Sequence, residues 1–230
     1  MESLEGISVI IPAAGVGLRM GEPVPKQYQE IAGKQVLEHT IAKFLVMHPG
    51  QMIVVVSAQD ELYKQLPSIR GCRVVIGGLL RSDSVAAGMH NLELAPDDWV
   101  MVHDAVRPCF RPADVLDLCE KVQDHEVGGL LGMPVADTIK KVVGDIVTGT
   151  VDRTQLWQAQ TPQMFRYSVL DEALKPSQAN IRAMMTDEAS AVEAAGYKPL
   201  MVAGHSDNIK ITTPDDLILA SYYLSRESAG

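Results

Sequence analysis

The first chemistry legible in the chain lies near its amino end, in Pro12-Ala13-Ala14-Gly15-Val16-Gly17, a stretch almost bare of side chains. Backbone N–H groups in such a stretch can approach a ligand closely, and successive ones form a concavity for phosphate oxygens. Arg19 and Lys26 follow shortly after. A guanidinium fork and a point-charge ammonium beside a backbone cradle suit a polyphosphate. Two familiar phosphate loops are excluded. Met20 stands where the dinucleotide fingerprint needs a third small residue, and no Gly-Lys-Ser/Thr follows. Pro23 and Pro25 make this a loop that drapes over a site and does not open a helix directly.

Further polar groups recur along the chain. Gly77-Gly78 with Arg81 and Ser84 offers backbone and side-chain groups that could read a base or ribose. In His103-Asp104-Ala105-Val106-Arg107, the Asp104 carboxylate could hold Mg²⁺ or accept a substrate hydroxyl. His103 reads as a packed, hydrogen-bonded residue, and Arg107 equally as an ion-pair partner or a ligand. Residues 157–163 read as a loop around one core tryptophan, with Arg153 placed to clamp a phosphate and Thr161 to donate its hydroxyl. Thr186 reads as the N-cap of a helix. Lys210, inside a short apolar strand, could reach the same face as Arg19.

These groups need elements to position them. Unbroken or β-branched apolar runs predict strands over 8–12, 52–56, 72–76 and 99–102. Apolar spacing predicts a helix over 37–48 and another starting near Arg81, while 59–66 reads as a short polar helix and 112–122 as a further one. Four alternations of strand and helix imply an α/β fold: a Rossmann-like, mostly parallel twisted sheet with helices on both faces. Ligands of such sheets sit beyond the carboxyl ends of the strands, where the glycine loop, Gly77-Gly78 and residues 103–107 all fall. After a strand at 130–134 the rhythm breaks. Residues 138–151 read as a hairpin turning on Gly144-Asp145, a β-hairpin arm that either lies over the body or protrudes to another subunit. Helices at 167–174 and 187–195, strands at 200–203 and 208–211, and a final helix opened by Thr213-Pro214-Asp215-Asp216 complete the chain.

At 230 residues the chain has the length of one large α/β domain, here 1–230 with the arm at about 136–156. A net charge of −9 argues against nucleic acid as a partner, since a phosphate backbone requires a broad basic face. Three cysteines without Cys-x-x-Cys spacing suit reduced thiols in a cytosol-like, cytoplasmic setting. The first residues lack a signal-peptide pattern, and no apolar run is long enough for a membrane span.

The glycine loop followed by Pro25-Lys26-Gln27-Tyr28 resembles the signature loop of nucleotidyltransferases that join a nucleoside triphosphate to a phosphorylated sugar or polyol. The ordered set continues with Gly77-Gly78-x-x-Arg81-x-x-Ser84-Val85, His103-Asp104-Ala105-x-Arg107-Pro108 and Asp137-Thr138-Ile139-Lys140. It closes with Thr150-Val151-Asp152-Arg153, Gln160-Thr161-Pro162-Gln163, Thr186-Asp187-Glu188-Ala189-Ser190 and Asp207-Asn208-Ile209-Lys210-Ile211-Thr212. As a whole it closely resembles the 2-C-methyl-D-erythritol 4-phosphate cytidylyltransferase family of the non-mevalonate isoprenoid pathway, over nearly the entire chain.

The resemblance implies that CTP is held by Pro12, Ala13, Ala14, Gly15, Gly17, Gly78, Arg81, Ser84 and Asp104, with Arg19, Lys26 and Lys210 on its phosphates. It implies a polyol phosphate held by Asp104, Ala105, Arg107, Thr138, Arg153, Thr161, Thr186 and Lys210, some of them across a homodimer that exchanges the arm. Arg19, Lys26, Lys210 and Arg153 would be the catalytic groups. Mg²⁺, or another divalent cation, would be carried mainly by the CTP phosphates, with Asp104 a further candidate ligand. Leu79-Leu80 departs from the family, which usually has more polar residues there. Two alternatives stand beside this reading: a ribitol 5-phosphate cytidylyltransferase, which usually has Gly-Gly in place of Ala13-Ala14, and a non-catalytic nucleotide-sensing module.

Overall fold

The computed structural model describes residues 3–15, 24–175 and 185–227. Its centre is a seven-stranded sheet built on β1 (Ile7–Pro12) and β4 (Gln51–Val56). Period-two alternation between two covered faces explains why both runs are apolar apart from Ser8 and Gln51. Val9, Ile11, Met52, Val54 and Val56 enter the core on one face, and Ile10, Ile53 and Val55 enter that on the other. Each such side chain, fully withdrawn from water, contributes about 1.5–3 kcal/mol. Helices α1 (Val36–Leu45) and α3 (Pro112–Val122) cover the first face through Leu37, Ile41, Phe44, Leu118 and Val122. Helices α2 (Arg81–Met89), α4 (Tyr167–Ala173) and α5 (Glu188–Ala194) cover the second through Val85, Met89, Leu170 and Val192. The final helix, α6 (Pro214–Glu227), packs Ala220 and Leu224 with Val106, Cys109 and Ile211.

β1 pairs in parallel with β4 and with β6 (Trp99–Val102), and β4 with β5 (Arg73–Ile76). The remaining strands are β7 (Gly128–Pro134), β10 (Trp157–Arg166) and β11 (Leu200–Ala203). The sheet order is β11-β7-β10-β6-β1-β4-β5, and only β10 runs antiparallel, between β6 and β7. Two small pairs lie outside the sheet: β2 (Glu30–Ile31) with β3 (Lys34–Gln35), and β8 (Ile139–Val143) with β9 (Ile146–Val151). The latter is the expected hairpin, and Gly144 takes φ +58 at its turn, a left-handed value that a side chain disfavours. All five residues of β8 are exposed.

Four expectations need correction. Residues 157–163 are the first part of β10 and not a loop, and Trp157 is 40% exposed, so it is no core aromatic. A register shift between Ala159 and Gln163 accommodates Pro162, which cannot donate to the ladder. Residues 208–211 are irregular, because their backbone is tied to loops: the Ile211 N–H donates to the Val106 carbonyl at 2.9 Å. The helix expected at 59–66 is instead two 3-10 turns, Leu62–Gln65 and Pro67–Gly71. Finally, Asp187 and not Thr186 caps α5, its carboxylate accepting from the Ser190 N–H at 3.0 Å.

Candidate active site

Because β1, β4, β5, β6, β7 and β11 point one way, their carboxyl ends meet at one edge. The antiparallel β10 brings its amino-terminal half there too. Two cavities open at this edge. The larger, of about 620 Å³, is lined by Pro12, Ala13, Ala14, Gly15, Lys26, Gly78, Arg81, Ser84, Asp104, Ala105 and Lys210, together with Gln27, Leu79, Leu80, Val106 and Thr212. The smaller, of about 190 Å³, is lined by Arg81, Asp104, Arg107, Thr161, Thr186, Asp187 and Lys210, with Gln160, Gln163 and Ala159. Arg81, Asp104 and Lys210 line both.

Asp104 is the pivot. Its Oδ1 accepts from Arg81 Nη2 at 3.0 Å, and its Oδ2 lies 2.9 Å from Lys210 Nζ and 3.4 Å from Arg107 Nε. Burial by itself would raise the Asp104 pKa, but the three cations outweigh it and hold the carboxyl well below its ordinary range. The backbone of Asp104 is fixed as well. His103 is fully buried against Phe44 and Phe110, and its burial pushes the imidazole down to about 3, so the ring is neutral. With Nε2 donating to the Arg107 carbonyl at 3.0 Å, Nδ1 is left to accept the Thr161 hydroxyl at 3.1 Å. Thr161 Oγ1 in turn accepts the Asp104 N–H at 3.0 Å. The proton that Thr161 was expected to offer a phosphate is therefore already engaged, and the residue supports Asp104. His103 is packed, as its surroundings in the sequence indicated.

The larger cavity is braced by a residue to which sequence analysis gave no role. Gln27 Nε2 donates to the carbonyls of Ala13 and Gly15, both at 2.9 Å, shaping the turn after β1 and setting Lys26 beside it. At Gly78 a Cβ would come within 2.4 Å of the Asp83 Cβ, so the loop leading into α2 closes only on glycine. Ser84 faces the cavity but gives its hydroxyl to the Leu80 carbonyl at 3.3 Å. Leu79 is fully exposed at the cavity rim, and Leu80 is partly exposed beside it.

Lys210 reaches the site because its segment is tethered on three sides. Arg107 Nη1 donates to the Asn208 carbonyl at 2.7 Å, Asn208 Nδ2 donates to the Thr161 carbonyl at 2.8 Å, and Ile211 bonds to Val106. Arg107 is thus an ion-pair partner and a lining group at once. Arg81, expected to read a base or ribose, instead turns its guanidinium to Asp104 and to Glu188, a carboxylate to which sequence analysis gave no role. Thr138 and Arg153 line neither cavity. Both are on the arm, where Arg153 donates to the Ala136 carbonyl. Gly17 and Arg19 lie outside the described residues. Burial pushes the thiols of Cys72, Cys109 and Cys119 up to about 12, so none supplies a thiolate nucleophile.

Residues 7–226 match the family model described as 2-C-methyl-D-erythritol 4-phosphate cytidylyltransferase. Proteins of that name from Vibrio vulnificus (strain CMCP6) and Hahella chejuensis are 46% and 47% identical to the chain. The alignments cover 98% and 95% of this chain and 97% and 92% of those proteins. Among solved structures, a 4-diphosphocytidyl-2C-methyl-D-erythritol synthase superposes with a TM-score of 0.82 at 37% identity, covering 95% of this chain and 97% of the other. The Francisella tularensis 2-C-methyl-D-erythritol 4-phosphate cytidylyltransferase gives 0.81 at 38% identity, covering 94% and 99%.

Proposed function

The chain belongs to the 2-C-methyl-D-erythritol 4-phosphate cytidylyltransferase family, and from that premise we propose how its two cavities divide the reaction. The enzyme joins CTP to 2-C-methyl-D-erythritol 4-phosphate, giving 4-diphosphocytidyl-2-C-methyl-D-erythritol and pyrophosphate. The larger cavity takes CTP, with the triphosphate along Ala13 to Gly15 and Lys26 and within reach of Arg81, and the cytosine toward Gly78 to Leu80. The smaller takes the acceptor, near Arg107 and Thr186. One observation carries this reading: Asp104 and Lys210 line both cavities, so the boundary between them is where an acceptor oxygen would meet the α-phosphorus.

In the reaction an oxygen of the acceptor phosphate forms a bond to the α-phosphorus, and the bond from that phosphorus to the bridging oxygen of pyrophosphate breaks. A phosphate monoester has a second pKa of about 6, so its oxygen is already ionised at neutral pH and needs no general base. Neutral, buried His103 is accordingly no base here. The protein supplies positioning and positive charge, from Lys26 and Lys210 within the described residues and from Arg19 by family expectation. Asp104 orients Lys210 and keeps its charge aimed at the cavity boundary.

A divalent cation such as Mg²⁺ is proposed to accompany the triphosphate. When bound, it spreads the charge of the phosphate oxygens. Among the described residues no group of three or more His, Cys, Asp or Glu could cage a metal, and both oxygens of Asp104 already face cations. The donor set therefore suits a metal carried by phosphates, with Asp104 a poor first ligand. A cytoplasmic location is likewise proposed, in keeping with described helices that are too short and polar to cross a membrane.

We also propose a homodimer through the arm. A two-stranded hairpin is marginal alone in water, yet this one exposes Val142, Val143, Ile146 and Val147 at 52–71%. Thr138 and Arg153, placed by family expectation at the acceptor, would reach it from the partner's arm.

Pyrophosphate release tests the function. CTP with methylerythritol phosphate should give rapid release, while ATP, GTP and UTP, or CTP with ribitol 5-phosphate, should give little. Equal rates with ribitol 5-phosphate would refute selectivity for the methylerythritol acceptor. A second prediction concerns pH. With Asp104 ionised and His103 neutral through the physiological range, kcat/KM for the acceptor should fall about tenfold per unit below pH ~6, following the acceptor's own second ionisation. A phosphonate acceptor, with a higher second ionisation, should shift the inflection upward. An inflection that ignores the acceptor would place the titrating group on the enzyme.

A further inference from the structure

Glu188 is the first residue of α5 and is fully buried. Its carboxylate is not needed to cap the helix, since Asp187 and Ser190 close that end reciprocally. A buried carboxylate requires a partner, and here it is Arg81: Nη1 donates to Oε1, and Nη2 donates to Oε2 at 3.0 Å. Arg81 itself stands at the first position of α2, where the helix dipole disfavours a cation. Helix stability therefore does not account for its placement. The two-point grip of Glu188 fixes the plane of the guanidinium, and the other edge, Nε and Nη2, faces Asp104 Oδ1 at 3.3 and 3.0 Å. Asp104 Oδ2 is thereby left to Lys210 and Arg107.

Arg81 also lines the cavity assigned to CTP. A guanidinium is an excellent phosphate ligand, so a triphosphate in that cavity competes with Asp104 for it. Two carboxylates, Asp104 and Glu188, face three cations, Arg81, Arg107 and Lys210. Removing the negative charge of Glu188 frees Arg81 to turn to the triphosphate. Asp104 then loses its Oδ1 partner and draws Lys210 inward, away from the reacting phosphorus.

We infer that Glu188 is a positioning residue: it holds Arg81 on Asp104 and off the triphosphate, which leaves Lys210 available to the transition state. The inference rests on the assignment of the larger cavity to CTP.

Glu188→Gln tests it, because a merely structural role and this role move the kinetic constants differently. The expected result is a kcat lowered at least about tenfold together with a severalfold lower KM for CTP, since ground-state binding gains what the transition state loses. In the double variant Arg81→Gln with Glu188→Gln the drop in KM should vanish, because no guanidinium remains to be captured. If Glu188→Gln folds poorly by thermal melting, Glu188→Asp, which keeps the charge but shortens the reach, should show the same pairing of lower kcat and lower KM at smaller size. Unchanged constants, or a KM for CTP that rises as kcat falls, would overturn the inference. The cavity assignment fails separately, if CTP turnover survives a bulky substitution at Ala14, which lines the larger cavity, in an enzyme that keeps Glu188.

Discussion

Replacing Lys210 with alanine should lower kcat by about 10²–10³-fold, the loss typical of one preorganised donor at a developing oxyanion, while KM for CTP changes less. The argument begins with geometry. Lys210 Nζ lies 2.9 Å from Asp104 Oδ2 and Lys210 lines both cavities, so under the proposed assignment of those cavities its charge stands where the α-phosphoryl would gain negative charge as the acceptor attacks. Its side chain is 40% exposed, and Asp104 keeps Arg81 and Arg107 without it, so the fold should persist with a melting temperature close to wild type. Lys210→Arg should recover little, because a planar fork whose terminal nitrogens reach one bond beyond the ammonium cannot replace a compact charge at the same point. Steady-state kinetics with both substrates varied decides the matter. Ordinary turnover in Lys210→Ala would remove the residue from the mechanism.

The second large effect concerns the arm. Arg153→Ala should abolish most acceptor turnover even though Arg153 lines neither cavity of its own chain. If the arms are exchanged in a closed dimer, an active site combines one chain's body with the partner's arm. Lys210→Ala and Arg153→Ala proteins, each nearly inactive alone, should then regain about a quarter of wild-type activity when unfolded, mixed in equal amounts and refolded, because a mixed dimer has one site with both residues intact. Mixing without recovery, with both variants still dimeric by sedimentation, would show that the arm serves its own chain. A monomeric wild-type protein of full activity would also remove the exchange.

Much of the fold was legible because buried parallel strands are continuous apolar runs. β1 and β4 announced themselves, and Gly77-Gly78 and His103 onward marked strand ends that do converge. β10 was not legible. Its first seven residues include Gln158, Gln160, Thr161, Pro162 and Gln163, a polar pattern that belongs to the site edge, and a proline argues against a strand in the middle of a sheet. Gln163 is satisfied there by tertiary partners: its Nε2 donates to Asp187 Oδ2 at 2.8 Å, and its Oε1 accepts the Ala189 N–H at 2.8 Å. Residues 208–211 failed in the opposite sense, since Ile209 and Ile211 have strand spacing but pack against α6.

The site was legible as a set of residues and less so as a set of roles. Lys26, Lys210, Asp104 and the backbone of Ala13 to Gly15 share one cavity, as their types suggested. Arg81 and Thr161 were read as ligand groups, yet their polar atoms are engaged by Glu188, Asp104 and His103. No local pattern in the sequence distinguishes a guanidinium aimed at phosphate from one clamped between two carboxylates more than twenty positions away. Glu188 and Gln27 were overlooked for the same reason, because an acid in a helix's first turn and an amide after a lysine are both ordinary.

The central claim is that this chain moves a cytidylyl group between the two cavities. Reaction with CTP labelled at the α-phosphorus, followed by separation of the products, measures it directly. The label should appear in a species that also contains the methylerythritol phosphate, with unlabelled pyrophosphate formed in equal amount and no transfer without the acceptor. Label found only in CTP, or in CMP at a rate independent of the acceptor, would contradict the account.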